Sequence, residues 1–152
     1  MIRRHFCLAC LVLVAGSAPA LATARPPAVL YKNAQCTCCE EYAKYLRSYG
    51  YEVTVKPTFD LVLIRRQNGV PEGLDGCHTM LVGGYVVEGH VPVAAVNRLL
   101  DERPVLKGIA VPGMPAGSPG MLMPGESPRP LIVFEVAADA APGATPKVFG
   151  VM

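Results

Sequence analysis

Three cysteines stand within four residues, at Cys36, Cys38 and Cys39. They fall between a predicted strand and a predicted helix, where free N–H groups and the positive end of the helix dipole favour thiolate over thiol. A thiolate is both the nucleophile of disulfide exchange and a ligand for soft metal ions. The simpler alternative is a structural disulfide from this cluster to Cys77, but one distant partner cannot satisfy three clustered thiols. The spacing therefore favours a metal site or a redox C-x-x-C pair.

A fourth sulfur and two imidazoles lie farther along the chain. Cys77 is followed directly by His78, ahead of a predicted β-hairpin, and His90 comes just before a predicted helix. A histidine next to a cysteine can supply a nitrogen ligand to the same ion, so His78 is a candidate ligand. His90 is also a candidate, the alternatives being capping of the helix or exposure to solvent.

Three methionines, Met114, Met121 and Met123, occur in the Gly- and Pro-rich segment Pro112–Pro130. Core methionines usually fall at helical or strand spacing among other apolar residues, and these do not. Thioether sulfur suits Cu(I) and does not suit zinc or magnesium. It also stays available in an oxidising compartment, where free thiols tend to form disulfides. The segment therefore predicts methionine ligands, the alternative being a loop in which methionine only fills space.

Copper fits this set of donors better than zinc does. Structural zinc sites usually pair separate units of two spaced cysteines, whereas this chain has a crowded C-x-C-C and a Cys-His pair. Because one thiolate can bridge two soft cations, three neighbouring thiolates suggest a cluster of several Cu(I) ions. The sequence therefore predicts copper as the bound metal.

The elements that would position these residues follow from local patterns. Apolar residues recur at spacings of three and four in the first and last predicted helices, and Gly83-Gly84 predicts a hairpin turn. Pro92 fits the first turn of a helix that Pro104 ends. The predicted helices are Glu40–Tyr49, Phe59–Gln67 and Pro92–Glu102. The predicted strands are Ala28–Lys32, Tyr51–Lys56, Thr79–Val82, Tyr85–Glu88 and Leu131–Val136, with Lys147–Val151 either pairing with the last or lying beyond the core.

The order of these elements is strand, cysteine turn, helix, strand, helix, hairpin, helix. That order is typical of a thioredoxin-like fold, an α/β architecture in a single domain. In this fold the segment that enters the hairpin packs against the cysteine turn, where a cis proline usually sits. Cys77 and His78 would therefore face the three thiols. The Met-, Gly- and Pro-rich loop and the C-terminal strands would be additions to a core at residues 28–136.

The N-terminus has the three-part layout of a secretory signal peptide. Met1–Arg4 is basic, Phe6–Gly16 is apolar, and Ser17–Ala24 is small and Ala-rich. These are the features by which export signals are recognised. We expect cleavage after Ala24, which leaves one exported domain at residues 25–152.

Loss of the signal peptide changes the cysteine count and the charge. Cys7 and Cys10 leave with it, so four of the six cysteines remain. Arg3 and Arg4 leave too, which reduces the 14 basic residues to 12, equal to the 12 acidic ones. A neutral chain without a basic patch argues against nucleic acid as a partner. Since no other segment is apolar for long enough to span a bilayer, we expect no membrane insertion after cleavage.

Four motifs stand in a fixed order along the chain. They are Cys36-x-Cys38-Cys39, Gly76-Cys77-His78-Thr79, Tyr85-x-x-Glu88-Gly89-His90-Val91-Pro92 and Pro112-Gly113-Met114-Pro115-x-Gly117-Ser118-Pro119-Gly120-Met121. Together they resemble the CopG-type family of periplasmic copper-resistance proteins, long catalogued as a domain of unknown function. The resemblance covers about residues 29–136, nearly all of the predicted mature chain.

The resemblance implies a thioredoxin-like fold, a periplasmic location and a cysteine-bridged copper cluster that takes part in copper redox handling during resistance. It implies sulfur ligands at the four cysteines of the mature chain, with His78, Met114 and Met121 as candidates around them. Other periplasmic copper-handling proteins would be partners. Tyr42 stands where the family has tryptophan. Met80 stands where alanine is common, so it is not carried over as a ligand.

The sequence thus predicts a protein that sequesters copper and cycles it between Cu(I) and Cu(II). Whether that cycling makes it an enzyme, a copper oxidoreductase, is left open by the sequence. The main alternative is a thiol–disulfide oxidoreductase in which Cys36 attacks and Cys39 resolves. A third is a disulfide-stapled binding module without metal. Disulfide exchange has no use for Cys38, for Cys77 and His78 or for the methionine loop, so copper binding is favoured.

Overall fold

The structure, a computed structural model, describes residues 24–122, 124–139, 141 and 143–152. The predicted signal peptide lies outside these residues except for Ala24, and so does Met123. Within the described part of the chain, three helices and a seven-stranded sheet form one mixed α/β domain. No helix there is long and apolar enough to cross a membrane.

The sheet is mixed and runs in the order β2-β1-β3-β4-β5-β6-β7. The pairs β1–β2 and β4–β5 are parallel, and the other neighbouring strands are antiparallel. The helices are α1 (Thr37–Ser48), α2 (Leu61–Gln67) and α3 (Val93–Glu102). The strands are β1 (Ala28–Asn33), β2 (Val53–Thr58), β3 (His78–Val82), β4 (Tyr85–Glu88), β5 (Gly108–Ala110), β6 (Ile132–Val136) and β7 (Val148–Val151).

The helices bury the faces that their apolar periodicity predicts. Helix α1 buries Tyr42 and Leu46, four residues apart on one face, together with Cys39 at its start. Gly50, with φ of 85°, follows α1 in the left-handed conformation that glycine adopts most easily. The Asp60 side chain caps α2 by accepting a hydrogen bond from the Leu63 N–H at 3.2 Å. These local signals fix the helices that flank the central strands.

Two features differ from the sequence-based expectation. Helix α1 begins at Thr37 and not at Glu40, so that Cys38 and Cys39 lie inside its first turn. Strand β5 was not predicted, because three residues are too short to show a period. In β5 a Cβ on Gly108 would lie 1.7 Å from the Val86 carbonyl oxygen, so only glycine allows the two strands to approach.

Most other predicted elements agree with the structure to within two residues. The segment predicted to pair with the last strand forms β7, which is antiparallel to β6. Met80, which was not carried over as a ligand, is fully buried in β3. The buried core includes Leu30 of β1, Val87 of β4 and Ile109 of β5, so the central strands pack in the hydrophobic core.

Candidate metal centre

The segment Asn33–Cys39, which we call the cysteine turn, joins β1 to α1. Cys36 is the N-cap residue of α1, with extended backbone angles (φ −76°, ψ 99°). Cys36 and Cys39 form a disulfide. Cys38 is a free thiol, and its Sγ lies 3.3 Å from the Cys36 Sγ. The turn thus presents three sulfur atoms at the N-terminus of one helix.

Lys32, near the end of β1, binds the backbone of the cysteine turn through hydrogen bonds. Its side chain is buried, and its Nζ donates to the backbone carbonyls of Ala34 at 3.2 Å and Cys36 at 3.1 Å. The same ammonium pairs with a Glu40 carboxylate oxygen at 3.1 Å. A buried ammonium is costly unless it is paired in this way. Lys32 therefore ties the backbone of the turn to the end of β1.

Cys77 reaches the cysteine turn through strand pairing. It directly precedes β3, whose first residue, His78, is paired with Lys32 of β1. The Cys77 Sγ lies 3.8 Å from the Cys38 Sγ, and Cys77 is a free thiol. The sulfur atoms of all four cysteines lie within 4.8 Å of one another. The fold thus brings together two segments that are 39 residues apart in sequence.

Two fully buried histidines lie next to the Cys77 sulfur. The His90 Nε2 lies 3.0 Å from the Cys77 Sγ, and its Nδ1 lies 2.7 Å from the Pro119 carbonyl oxygen. A carbonyl only accepts, so Nδ1 carries the hydrogen and Nε2 directs its lone pair at the sulfur. The His78 Nδ1 is 3.8 Å from the same sulfur. Cys77, His78 and His90 therefore form a second group of candidate ligands, also within 4.8 Å.

The other nitrogen of His78 is buried without a partner. Among the described residues, the His78 Nε2 is the buried side-chain nitrogen or oxygen that forms no hydrogen bond. A buried polar atom in that condition normally indicates a functional role or a bound partner such as a water molecule or an ion. The histidine ring packs against Tyr42, with ring centroids 4.6 Å apart.

Burial sets the protonation states at this centre. It lowers the pKa of His78 strongly, with His90 and Arg65 adding to the effect, and it lowers the pKa of His90 against the opposing Pro119 hydrogen bond. Burial, and next the neighbouring Cys38, raise the pKa of the Cys77 thiol to about 12. The metal-free site thus holds neutral imidazoles and a protonated Cys77. A cation that binds the sulfur must displace that proton.

Two solved structures are similar to this chain in fold and in sequence. Both are named copper resistance protein copG, in forms 1 and 2. Each is 34% identical, with a TM-score of 0.73, and the match covers 84% of this chain and 98% of the other. The chain belongs to the CopG family. A family model described as a protein of unknown function, DUF411, matches residues 74–121. None of the curated proteins compared with the chain matches it.

The region matched by that family model contains Cys77, both histidines and two of the three predicted methionine ligands. In this CopG-family chain, Gly113 pairs with Gly76, the residue before Cys77. Gly120 packs against α1 so closely that a Cβ would lie 2.8 Å from the Tyr42 backbone nitrogen. The loop that carries the methionines therefore packs both beside Cys77, through Gly76, and on helix α1, whose N-terminus carries the other three cysteines.

The methionine ligands remain predictions. Met114 is 50% exposed, and Met121 is partly exposed beside the docked Gly120. Met123 lies outside the described residues. What the loop contributes directly is the Pro119 carbonyl, which fixes the orientation of His90. Cysteine and histidine side chains form both of the metal-capable groups found among the described residues.

Sequence reasoning missed several residues that hold the site. Tyr42 was predicted on the apolar face of the first helix and noted as a departure from the family, but not as a residue of the site. Its hydroxyl donates to the Val91 carbonyl at 2.7 Å and its ring contacts both histidines. Lys32 and Glu88 are buried charges that no ligand pattern indicates. A charged residue at the end of a predicted apolar strand, such as Glu88 after Val86 and Val87, is a signal that could have revealed them.

Proposed function

We propose that this CopG-family protein binds copper in the periplasm and acts in copper resistance by sequestering the metal. One observation carries the proposal. Four cysteine sulfurs from two distant segments lie within 4.8 Å of one another. The two similar solved structures are named copper resistance protein copG, and this donor set is consistent with that name.

The chemistry of the donors favours copper, and Cu(I) in particular. Thiolates are soft ligands that select Cu(I). Cys77 belongs to both metal-capable groups, so its sulfur is placed to bridge ions held by the other cysteines and ions held by the histidines. The orphaned Nε2 of His78 is a nitrogen donor that has no other use within the described structure. We therefore propose a cysteine-bridged copper cluster.

The proposed ligands fall into three kinds of donor. Thiolates from the four cysteines form the core of the site, and the imidazoles of His78 and His90 complete it around Cys77. Thioethers from the docked loop add soft, neutral ligands at its outer side. The full proposed set is Cys36, Cys38, Cys39, Cys77, His78, His90, Met114, Met121 and Met123.

The oxidation state of the chain controls how many thiolates the site offers. With Cys36 and Cys39 in a disulfide, Cys38 and Cys77 are the free thiols of the described residues. Reduction by two electrons and two protons frees the other two, so full loading requires the reduced protein. We propose conversion between Cu(I) and Cu(II) as a second activity of the loaded site. Other periplasmic copper-handling proteins would exchange copper or electrons with it.

The proposed setting includes export and a thioredoxin-like core. We infer that residues 1–24 are a signal peptide and that residues 25–152 form the copper-binding domain. The order β2-β1-β3-β4, with β1 and β2 parallel and the next pairs antiparallel, supports a thioredoxin-like arrangement of the core at residues 28–136. Strands β5 and β6 lie within these residues with the methionine loop between them, and β7 follows them.

The second candidate function is thiol–disulfide exchange. The observation that favours it is the Cys36–Cys39 disulfide, in C-x-x-C spacing at the N-terminus of α1. In that function Cys36 would attack a substrate disulfide and Cys39 would resolve the mixed disulfide. Cys77 and the two histidines would then have no role in the chemistry, so copper binding accounts for more of the site.

Anaerobic titration of the reduced, exported protein with Cu(I), in competition with a chromophoric chelator, tests the proposal. We expect several equivalents to bind, and we expect Cys36→Ser and Cys77→Ser to lose most of that binding. Met114→Leu tests the thioether contribution while keeping the side-chain volume. Turnover of disulfide substrates by a protein that binds no Cu(I) would overturn the proposal in favour of the oxidoreductase.

A further inference from the structure

A buried carboxylate lies directly behind the segment that carries Cys77. Glu88, at the end of β4, is 0% exposed. Its Oε1 accepts from the Arg65 Nε at 2.7 Å and from the Gly76 N–H at 2.8 Å. Its Oε2 accepts from the Thr79 hydroxyl at 2.6 Å. Three donors from two parts of the chain thus converge on one side chain.

Two of those donors bracket the candidate ligands. Gly76 and Thr79 are the residues on either side of Cys77 and His78, so the carboxylate holds both ends of the four-residue segment. Arg65 of α2 adds a second tie, because its Nη2 donates to the Gly76 carbonyl oxygen. Both backbone groups of Gly76 are therefore held by the Arg65–Glu88 pair.

The Glu88 carboxylate also helps to position the backbone that leads to His90. Thr79 and Glu88 are directly opposite in the β3–β4 pairing, and the Gly89 N–H donates to the His78 carbonyl at 2.9 Å. A Cβ on Gly76 would lie 2.5 Å from the Gly89 Cα, so the two backbones are in close contact. The positions of Cys77, His78 and His90 are thus coupled through Glu88 and its neighbours.

Stability alone gives little reason to keep this ion pair. Burying a carboxylate and a guanidinium costs more solvation than an apolar pair of the same volume would, and such replacements are often neutral or stabilising. Two of the three hydrogen bonds that Glu88 accepts come from one segment, and that segment carries two candidate ligands. Groups that orient metal ligands from behind are known to tune metal affinity.

We propose that Glu88, together with Arg65, is a positioning pair that fixes Cys77 and His78 in the geometry needed to bind copper. The inference rests on the proposed function of the site. Glu88 does not touch the metal in this arrangement. It acts through the Gly76 N–H and the Thr79 hydroxyl.

Two substitutions remove the contacts by different routes. Glu88→Ala removes all three hydrogen bonds. Thr79→Val keeps the branched shape and the buried ion pair but removes the hydroxyl that holds one end of the segment, and Thr79→Ser restores it. We expect Glu88→Ala to weaken Cu(I) binding by about 10- to 100-fold, as loss of an outer-shell partner typically does. Thr79→Val should weaken it less, and Thr79→Ser should bind like the unchanged protein.

The assay pairs Cu(I) competition with ultraviolet spectra of the thiolate-to-copper charge-transfer bands, on the reduced, exported protein. Val133→Ala is the matched control, since Val133 is fully buried in β6, two strands from β4, and its loss lowers stability without touching the segment. If Glu88→Ala fails to fold, the comparison of Thr79→Val with Thr79→Ser decides. A shifted spectrum with weaker binding, absent in the control, supports the inference.

Two negative outcomes are distinguishable. Affinity and spectra of Glu88→Ala and Thr79→Val that match the Val133→Ala control, with copper bound normally by the unchanged protein, would overturn the positioning role alone. Failure of the unchanged protein to bind Cu(I) would overturn the proposed function, and the inference with it.

Discussion

Lowering the pH should destabilise the metal-free protein through its two buried histidines. His78 and His90 are both 0% exposed, and burial holds the pKa of each below its ordinary value. The fold therefore disfavours protonation of both imidazoles at a pH at which the unfolded chain, with a histidine pKa of about 6.5, binds protons. Because the extra protons bind to the unfolded state, the free energy of unfolding decreases as the pH falls through about 6.5.

The size of the effect follows from linkage. Between about pH 7.5 and about pH 5.5, each imidazole that stays neutral in the fold removes about 1.4 kcal/mol from the free energy of unfolding. The two together set an upper limit of about 2.8 kcal/mol. We expect His78 to contribute the larger share, because its pKa is lowered more strongly. The third histidine, His5, belongs to the predicted signal peptide, so no other imidazole contributes.

Urea unfolding at the two pH values measures this directly, on the predicted mature chain (residues 25–152) treated with a chelator and kept with its disulfide intact. We expect His78→Gln and His90→Gln each to lose part of the pH dependence, and the double variant to lose most of it. Val133→Ala, which destabilises the core but keeps both histidines, should retain the full dependence. Equal free energies of unfolding at both pH values for the unchanged protein would refute the reasoning.

Two further substitutions test groups that support the site. Tyr42→Phe keeps the ring but leaves the buried Val91 carbonyl without its donor, so the free energy of unfolding in urea should fall by about 1–3 kcal/mol; an unchanged value would contradict this. Lys32→Met removes the ammonium that holds the carbonyls of the cysteine turn. We expect faster reduction of the Cys36–Cys39 disulfide by a dithiol, followed by thiol labelling, and a rate equal to that of the unchanged protein would contradict the anchoring role.

Much of the fold was predictable because its signals are local. The helix periodicity around Tyr42 and Leu46 predicted the buried face of α1, and Gly83-Gly84 predicted the β3–β4 hairpin. Strand β5 was missed because its three residues owe their conformation to neighbouring strands. Glycine is required at position 108 because the Val86 backbone leaves no room for a Cβ. The start of α1 was placed three residues late, since cysteines give little local indication of a helix.

The candidate site, like the fold, was predictable only in part from the sequence. Residue type identified the donors, because thiolate, imidazole and thioether chemistry belongs to the side chain wherever it lies. Sequence adjacency paired Cys77 with His78, yet the structure brings His90 closer to the Cys77 sulfur, at 3.0 Å against 3.8 Å. That ranking depends on the Pro119 carbonyl, 29 residues away, which no local pattern connects to His90.

The sequence by itself determined the kind of chemistry that this protein offers, a set of soft donors grouped on an α/β chain of the CopG family. The tertiary structure decided which donors meet. Pairing of β3 with β1 places Cys77 on the cysteine turn, and Glu88 and Lys32 hold the two halves in place. The physical reason is that donor chemistry is a property of single residues, whereas convergence is set by strand register and buried charge pairing between residues far apart in the chain.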